Sequence, residues 1–100
     1  MRVNGSGKKW VLVVDDDEDN RDTLVDFLIE AGYLAKGAAD CEQALDLLRD
    51  DKPCLVLSDV LMKDMHGKDL LMRARRLFND AVPPFVFVTG AHPSMLEDIS

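Results

Sequence analysis

The sequence lacks long hydrophobic runs, and its cysteines and basic residues are few. Its longest apolar runs, Trp10–Val14 and Phe85–Val88, fall far short of the roughly 20 residues that a membrane-spanning helix needs. The polar residues 1–9 lack the apolar stretch of a secretory signal and are expected to form a flexible leader. These absences exclude a membrane protein and favour the cytoplasm as its location.

The two cysteines, Cys41 and Cys54, fall inside predicted regular elements, so they are expected to be small buried residues rather than a disulfide framework. Twelve basic residues stand against nineteen acidic ones, which gives a net charge of −7. Because like charges repel, this balance opposes direct binding to the phosphate backbone of nucleic acid. The 47% hydrophobic content is enough for one buried core, and we expect a single domain over residues 10–100.

Short strand-like segments alternate with segments of helical spacing. Strands are predicted at residues 11–14, 33–36, 54–57 and 85–88. The predicted helices carry apolar stripes, which are Leu24, Phe27, Leu28 and Ala31; Cys41, Ala44, Leu45 and Leu48; and Leu70, Leu71, Ala74, Leu77 and Phe78. A capping pair, Ser94 and Glu97, predicts the start of a fourth helix. This alternation predicts a three-layer α/β domain with a mostly parallel sheet.

Polar residues follow three of the predicted strands at their carboxyl ends. Asp15 and Asp16 follow the first strand, Asp59 comes just after the third, and Thr89 follows the fourth. Ligands of open parallel sheets collect beyond these ends, so the four side chains are expected to share one pocket if the strands are neighbours. Three clustered carboxylates repel one another unless a proton or a cation neutralises them. Neutralisation by Mg²⁺, which prefers carboxylate and phosphate oxygens, is a simpler explanation than uptake of a proton.

Three segments resemble one known family, the receiver domains of two-component response regulators. Residues 11–17 (VLVVDDD) are similar to the acidic opening of these receivers, residues 55–67 (LVLSDVLMKDMHG) to the phosphoacceptor strand and loop, and residues 85–91 (FVFVTGA) to the switch-threonine strand. Together they cover about residues 10 to 99. Each segment alone would be weak evidence for the family. The three together, in the order and spacing of the family, are specific evidence for it.

The resemblance implies a flavodoxin-like fold and a role for each polar residue. It implies that Asp59 is the phosphoacceptor, and that Asp15, Asp16, Asp59 and the main-chain carbonyl of Leu61 bind Mg²⁺. Thr89 is implied as the switch hydroxyl. The implied partner is a sensor histidine kinase or phosphotransfer protein that donates from a phosphohistidine. The domain is then a signalling switch rather than an enzyme.

The sequence departs from the family pattern in two places. Lys63 stands where the family usually has proline, and His66 replaces a common acidic or polar residue. The family also continues into a fifth strand with a lysine, an aromatic switch residue and a final helix, so a strand order of 2-1-3-4 with these parts missing is expected. An exposed edge on the strand at residues 85–88 would favour self-association.

Simpler explanations stand beside the functional ones. The acidic residues 15–19 also suit a helix start, Asp59 suits a turn, and His66 and His92 lack companions at zinc-ligand spacing. The missing lysine keeps open a pseudo-receiver, a binding module that works without phosphorylation. A phosphatase of the haloacid dehalogenase type is a weaker alternative, because it leaves the Asp59 loop unexplained. A calcium loop is excluded, since Asn20 occupies its required glycine position.

Overall fold

The computed structural model describes residues 9–62 and 66–88. Four strands, three α-helices and one 3₁₀ turn follow one another in this order: β1 (Trp10–Val14), α1 (Glu18–Glu30), β2 (Leu34–Ala38), α2 (Cys41–Asp50), β3 (Leu55–Asp59), α3 (Gly67–Phe78), the 3₁₀ turn (Asn79–Ala81) and β4 (Phe85–Val88). The strands form one parallel sheet in the order β2-β1-β3-β4. The predicted α/β class, parallel sheet and strand order are confirmed.

The sheet separates two apolar clusters, because alternate residues of a strand point to opposite faces. On one face, Val11 and Val13 of β1 pack with Leu24 and Leu28 of α1. On the other, the remaining β1 side chains pack against α2 and α3 in a cluster that includes Trp10, Leu12, Val14, Ala44, Leu45, Leu48, Leu70 and Ala74. All five β1 residues are buried. This is the three-layer arrangement that the sequence predicts.

The helix ends follow local rules of capping. Asp17 caps α1 by accepting a hydrogen bond from the main-chain N–H of Asn20, and Asp40 caps α2 by accepting one from Gln43. Gly32 follows α1 with a φ of 102°, a left-handed conformation that glycine adopts without a steric penalty. Helix α1 therefore begins at Glu18, directly after its cap Asp17.

Two strands have bounds that differ from those predicted. Strand β2 begins at Leu34 rather than at Tyr33 and continues to Ala38, because it pairs with the whole of β1. Strand β3 runs from Leu55 to Asp59 rather than over residues 54–57, so Asp59 ends the strand instead of following it.

The apolar stripes of two helices are narrower than predicted. Phe27 of α1 is 40% exposed and Leu77 of α3 is 47% exposed. Ala31, the cap residue after α1, is exposed as well. Each helix buries only the part of its stripe that faces the sheet. The predicted fourth helix, marked by Ser94 and Glu97, lies outside the described residues, and so do residues 1–8 of the leader predicted over residues 1–9.

Cys41 and Cys54 form no disulfide with each other. Cys41 is buried, as predicted, while Cys54 is only half-buried because it precedes β3 at the edge of the core. Among the described residues, no helix combines the length and apolar character that crossing a bilayer requires.

Candidate metal and phosphoryl site

Three aspartates meet at the carboxyl ends of the two central strands. The register pairs Val14 with Ser58, so Asp15 and Asp59, the next residues along β1 and β3, come out side by side. One carboxylate oxygen from each of Asp15, Asp16 and Asp59 lies within 4.8 Å of the other two. The predicted convergence of these three residues is confirmed.

Asp15 is the most enclosed member of the cluster, with only 1% of its surface exposed. Its main-chain N–H donates to the carbonyl of Ala38 (3.1 Å), which ties it to the end of β2. Its carboxylate oxygen Oδ1 accepts a hydrogen bond from the N–H of Asp17 (2.9 Å). The other oxygen, Oδ2, is buried and accepts no hydrogen bond from the described part of the chain.

The surroundings of Asp15 change its acidity. Burial raises the pKa of its carboxyl group, the hydrogen bond from Asp17 partly opposes that rise, and the charges of Asp59, Asp16 and Asp17 add to it. The ionised form of Asp15 is therefore costly in this position. A buried acceptor without a donor is also unfavourable, and a cation would remove both problems at once.

The donor set fits a hard divalent cation. It consists of carboxylate oxygens from three residues, and the half-exposed Asp16 and Asp59 leave an opening for water and phosphate. Two oxygens bound to one Mg²⁺ lie about 3 to 4 Å apart, so a spread of 4.8 Å needs only a small closing movement. No other group of three metal-binding side chains occurs within residues 9–62 and 66–88.

Asp59 is held in place by the strands and by the loop that follows it. It pairs in register with Val88, the last residue of β4. The hydroxyl of the fully buried Ser58 donates to the main-chain oxygen of Asp59 (3.0 Å). The N–H of Gly67 donates to the carbonyl of Val60 (2.8 Å), which connects the start of α3 to the end of β3. The strand end thus presents the Asp59 carboxylate on a fixed support.

Gly67 itself lies close to the acidic cluster, at the end of the loop that follows β3. A β-carbon at this position would overlap the main-chain oxygen of Asp59 and come within 2.9 Å of the Phe87 ring. Leu61, within the same loop, forms an isolated bridge with His66, and its side chain is 60% exposed. His66 is exposed. A metal-binding role for the Leu61 carbonyl stays a prediction.

Thr89 follows Val88 directly in the sequence but lies outside the described residues, so its role also stays a prediction. Lys63 lies outside them as well.

Arg21 was not among the residues predicted at this site, and its Nη1 atom donates to the main-chain oxygen of Asp15 (2.9 Å). The available signal was that Arg21 is the only basic residue in the otherwise acidic segment 15–26.

Comparisons with known proteins agree with this geometry. The model of the response regulator receiver domain family matches residues 11–98. A 14.6 kDa protein from the sodA1 3′ region of Leptolyngbya boryana is 39% identical over 80 residues, which cover 80% of this chain and 61% of that protein. The sensor histidine kinase RcsC of Escherichia coli is 41% identical over 75 residues, which cover 75% of this chain and 8% of the kinase.

Solved structures give the same result. The chemotaxis response regulator CheY4 of Vibrio cholerae superposes with a TM-score of 0.75 at 27% identity, covering 91% of this chain and 77% of that one. The chain spans about three-fifths of its Leptolyngbya relative and less than a tenth of the kinase. The family match covers nearly the whole chain, and the fold and strand order agree with it. The chain therefore belongs to the response regulator receiver domain family, the signalling domains of two-component systems.

Proposed function

We propose that the chain is a switch that accepts a phosphoryl group on Asp59 in a Mg²⁺-dependent reaction. Asp15, Asp16, Asp59 and the Leu61 carbonyl are the proposed ligands. The observation that carries the proposal is the carboxylate cluster, in which Asp15 is buried, has a raised pKa and keeps one oxygen that accepts no hydrogen bond from residues 9–62 and 66–88. Such a cluster is poised for a cation, and a cation beside an accessible carboxylate favours phosphoryl chemistry.

Asp59 is the best acceptor of the three carboxylates. Asp15 is almost fully buried and already accepts a hydrogen bond from Asp17, so a phosphorus atom cannot approach it easily. Asp59 is half-buried at the end of a central strand, and residues 55–67 around it resemble the acceptor segment of the family. Asp16 is also half-buried but lies outside that segment.

The proposed reaction transfers the phosphoryl group without oxidation or reduction. A carboxylate oxygen of Asp59 forms a bond to phosphorus while the P–N bond of a phosphohistidine donor breaks. The electron pair of that bond stays on the imidazole nitrogen, and a proton on the other ring nitrogen lets the imidazole leave as a neutral group. When bound, Mg²⁺ neutralises charge on the transferring oxygens and holds the reacting groups in line.

The proposed donor is a sensor histidine kinase or a phosphotransfer protein. The similarity to a segment of the sensor histidine kinase RcsC supports a place in such a relay. We further propose that the Thr89 hydroxyl binds the new phosphoryl group and that the resulting change in the loops alters the partner surface. A protein, rather than nucleic acid, is the proposed partner, because the chain carries a net charge of −7.

Intact-protein mass spectrometry after incubation with Mg²⁺ and acetyl phosphate tests the proposal. We expect the parent chain to gain one phosphoryl group and the Asp59→Asn variant to gain none. Asp22→Asn is a matched control, because it removes the same charge from an exposed position on α1. Chelation of the metal should abolish the gain in the parent chain.

The outcomes separate the proposal from its alternative. A gain in the parent that persists in Asp59→Asn would assign the acceptor to another residue. No gain in a folded parent chain that binds Mg²⁺ would favour a phosphorylation-independent binding module. No binding of Mg²⁺ at millimolar concentration would contradict the metal site itself.

A further inference from the structure

Arg21 connects the start of α1 to the acidic cluster through the protein backbone. Its own N–H continues the helix by donating to the carbonyl of Asp17 (2.9 Å). Its side chain turns back toward the strand, and Nη1 donates to the main-chain oxygen of Asp15 (2.9 Å). The Arg21 side chain is half-buried along this path. A charged donor bound to a carbonyl makes a stronger hydrogen bond than a neutral one.

This contact completes a set of three tethers on Asp15. Its N–H is bound to the carbonyl of Ala38, its carbonyl to Arg21 and its Oδ1 atom to the N–H of Asp17. The three partners belong to β2, to α1 and to the connection between β1 and α1. Together they fix the main chain on both sides of the Asp15 α-carbon and one of its two carboxylate oxygens. Oδ2 is the remaining oxygen.

Gly37 provides the space in which the Arg21 side chain lies. A β-carbon on Gly37 would come within 2.9 Å of both Cγ and Cδ of Arg21 and within 3.4 Å of its Nε. These atoms form the middle of the side chain, so an alanine at position 37 would push Arg21 aside. Glycine weakens a strand interior, and a close approach by another group is a common reason for finding it there.

We propose that Arg21, seated on Gly37, is a positioning residue that holds Asp15 in the geometry for binding a divalent cation. The proposal rests on the proposed function, because it concerns the same metal site. Arg21 acts on the main-chain carbonyl of Asp15 and is not itself a metal ligand. Partners of this kind orient the ligands of metal sites, and their loss typically lowers metal affinity by about 10- to 100-fold.

The first test compares Mg²⁺ affinity by isothermal titration calorimetry in the full chain. Arg21→Met keeps an apolar stem but removes the donor, and we expect it to weaken binding about tenfold. Arg21→Lys keeps a cationic donor. On a logarithmic scale, we expect its Mg²⁺ affinity to lie at least halfway from that of Arg21→Met to that of the parent chain. Arg75→Met is the matched control on the last turn of α3, at the opposite end of the sheet, and should change affinity less than about twofold, because salt screens distant charges.

The second test uses the contact between positions 21 and 37. Gly37→Ala alters no charged or ligand residue, yet it should weaken Mg²⁺ binding about as much as Arg21→Met does. In an Arg21→Ala background the atoms that would clash are gone, so adding Gly37→Ala should change the affinity less than about twofold. If Gly37→Ala changed the Mg²⁺ affinity equally in the parent and in Arg21→Ala, the proposed contact between positions 21 and 37 would be overturned, because mutations of residues in contact are not additive.

A third measurement does not depend on the metal. Hydrogen exchange of the Asp17 amide, followed by NMR without divalent cations, reports the tether to Asp15 Oδ1. We expect faster exchange in Arg21→Met and Gly37→Ala, and parental exchange in Arg75→Met. Unchanged exchange together with unchanged Mg²⁺ affinity would overturn the proposal.

The measurements also separate this inference from the proposed function. If the parent chain fails to bind Mg²⁺, the proposed function fails and the link from Arg21 to a metal fails with it, whatever the exchange data show. If the parent binds Mg²⁺ and all variants bind equally well, only the positioning role of Arg21 is overturned. Loss of affinity in Arg21→Met without rescue by Arg21→Lys would assign Arg21 a role in folding rather than in positioning.

Discussion

Asp15 is the residue whose environment opposes its own ionisation most clearly. Its carboxyl group is buried beside other acids, and its pKa is raised above the ordinary value of an aspartate. The folded state therefore holds the proton of Asp15 more tightly than the unfolded state does. The free energy of unfolding therefore decreases as pH rises from the pKa of Asp15 in the unfolded state to its pKa in the folded state. Above the folded-state pKa, the whole loss of stability is present.

Asp15→Asn should remove this penalty. In metal-free buffer, we expect the free energy of unfolding of the variant, relative to the parent, to increase as pH rises from below the ordinary aspartate pKa of about 4 to neutrality. Urea denaturation at a series of pH values measures it, with Asp22→Asn as an exposed control. Added Mg²⁺ should reduce the difference at neutral pH by stabilising the parent. A difference that is constant with pH would contradict the expectation.

Gly67 is a second residue with a specific steric role. Gly67→Ala should lower the free energy of unfolding by about 2 kcal/mol, because the added methyl group overlaps the Asp59 carbonyl oxygen and crowds the Phe87 ring. Phosphorylation by acetyl phosphate should slow as well, since the acceptor's main chain must shift. Lys68→Ala, at the exposed neighbouring position, should change stability by less than about 0.5 kcal/mol. Parental stability of Gly67→Ala would show that the loop adapts freely.

The candidate site was predictable where residue type and strand position coincide. Asp15, Asp16 and Asp59 stand out because acids directly follow or end apolar strands, and parallel strands bring such ends together. The contact from Arg21 to the Asp15 carbonyl was not predictable in this way. It depends on a side chain that folds back over Gly37 of another strand, and no local spacing rule encodes that contact.

The helices show how well local signals locate an element and how poorly they set its burial. Asp40 and Gln43 form the capping contacts at the start of α2, where the Gln43 side chain accepts a hydrogen bond from the main-chain N–H of Ala39, one residue before the cap. The stripe of α2 is buried at Cys41, Ala44, Leu45 and Leu48, all as predicted. In α1 only Leu24 and Leu28 are buried, because one helix alone lies on that face of the described sheet.

The cap of α2 offers a test at the scale of an element. Asp40→Ala removes the acceptor of the Gln43 N–H and should lower the free energy of unfolding by about 1 kcal/mol. Asp46→Ala, on an exposed position of the same helix, loses only a surface ion pair with Arg49 and should cost less than about 0.5 kcal/mol. Urea denaturation of both variants measures the difference. Equal losses would show that the cap contributes nothing special.

At the scale of the whole molecule, the side of β4 that faces away from β3 is an edge of the described sheet. The carbonyl of Pro84 accepts from Val56 of β3, and that of Val88 accepts from Val60, the residue directly after β3. The intervening Phe85 and Phe87 therefore direct their main-chain groups away from β3. Within residues 9–62 and 66–88, no strand pairs with that side. An apolar edge of this kind can pair with a second chain.

We therefore predict self-association through β4 at high concentration. Sedimentation velocity should show a concentration-dependent increase in mass, and hydrogen exchange of the Phe87 amide should slow over the same range. The Val88 amide, on a residue that faces β3, is an internal control whose exchange should not change. A monomer at every concentration, with constant Phe87 exchange, would refute the prediction.

The sequence by itself determined the class of the fold, the order of its elements and the identity of the acidic cluster. Apolar periodicity, helix caps and the position of acids at strand ends are local signals, and each is written in neighbouring residues. Only the tertiary structure decided how far β2 and β3 extend, which helix residues remain exposed, and how Arg21 reaches Asp15. These features depend on contacts between segments that are distant in sequence, where packing rather than local preference sets the geometry.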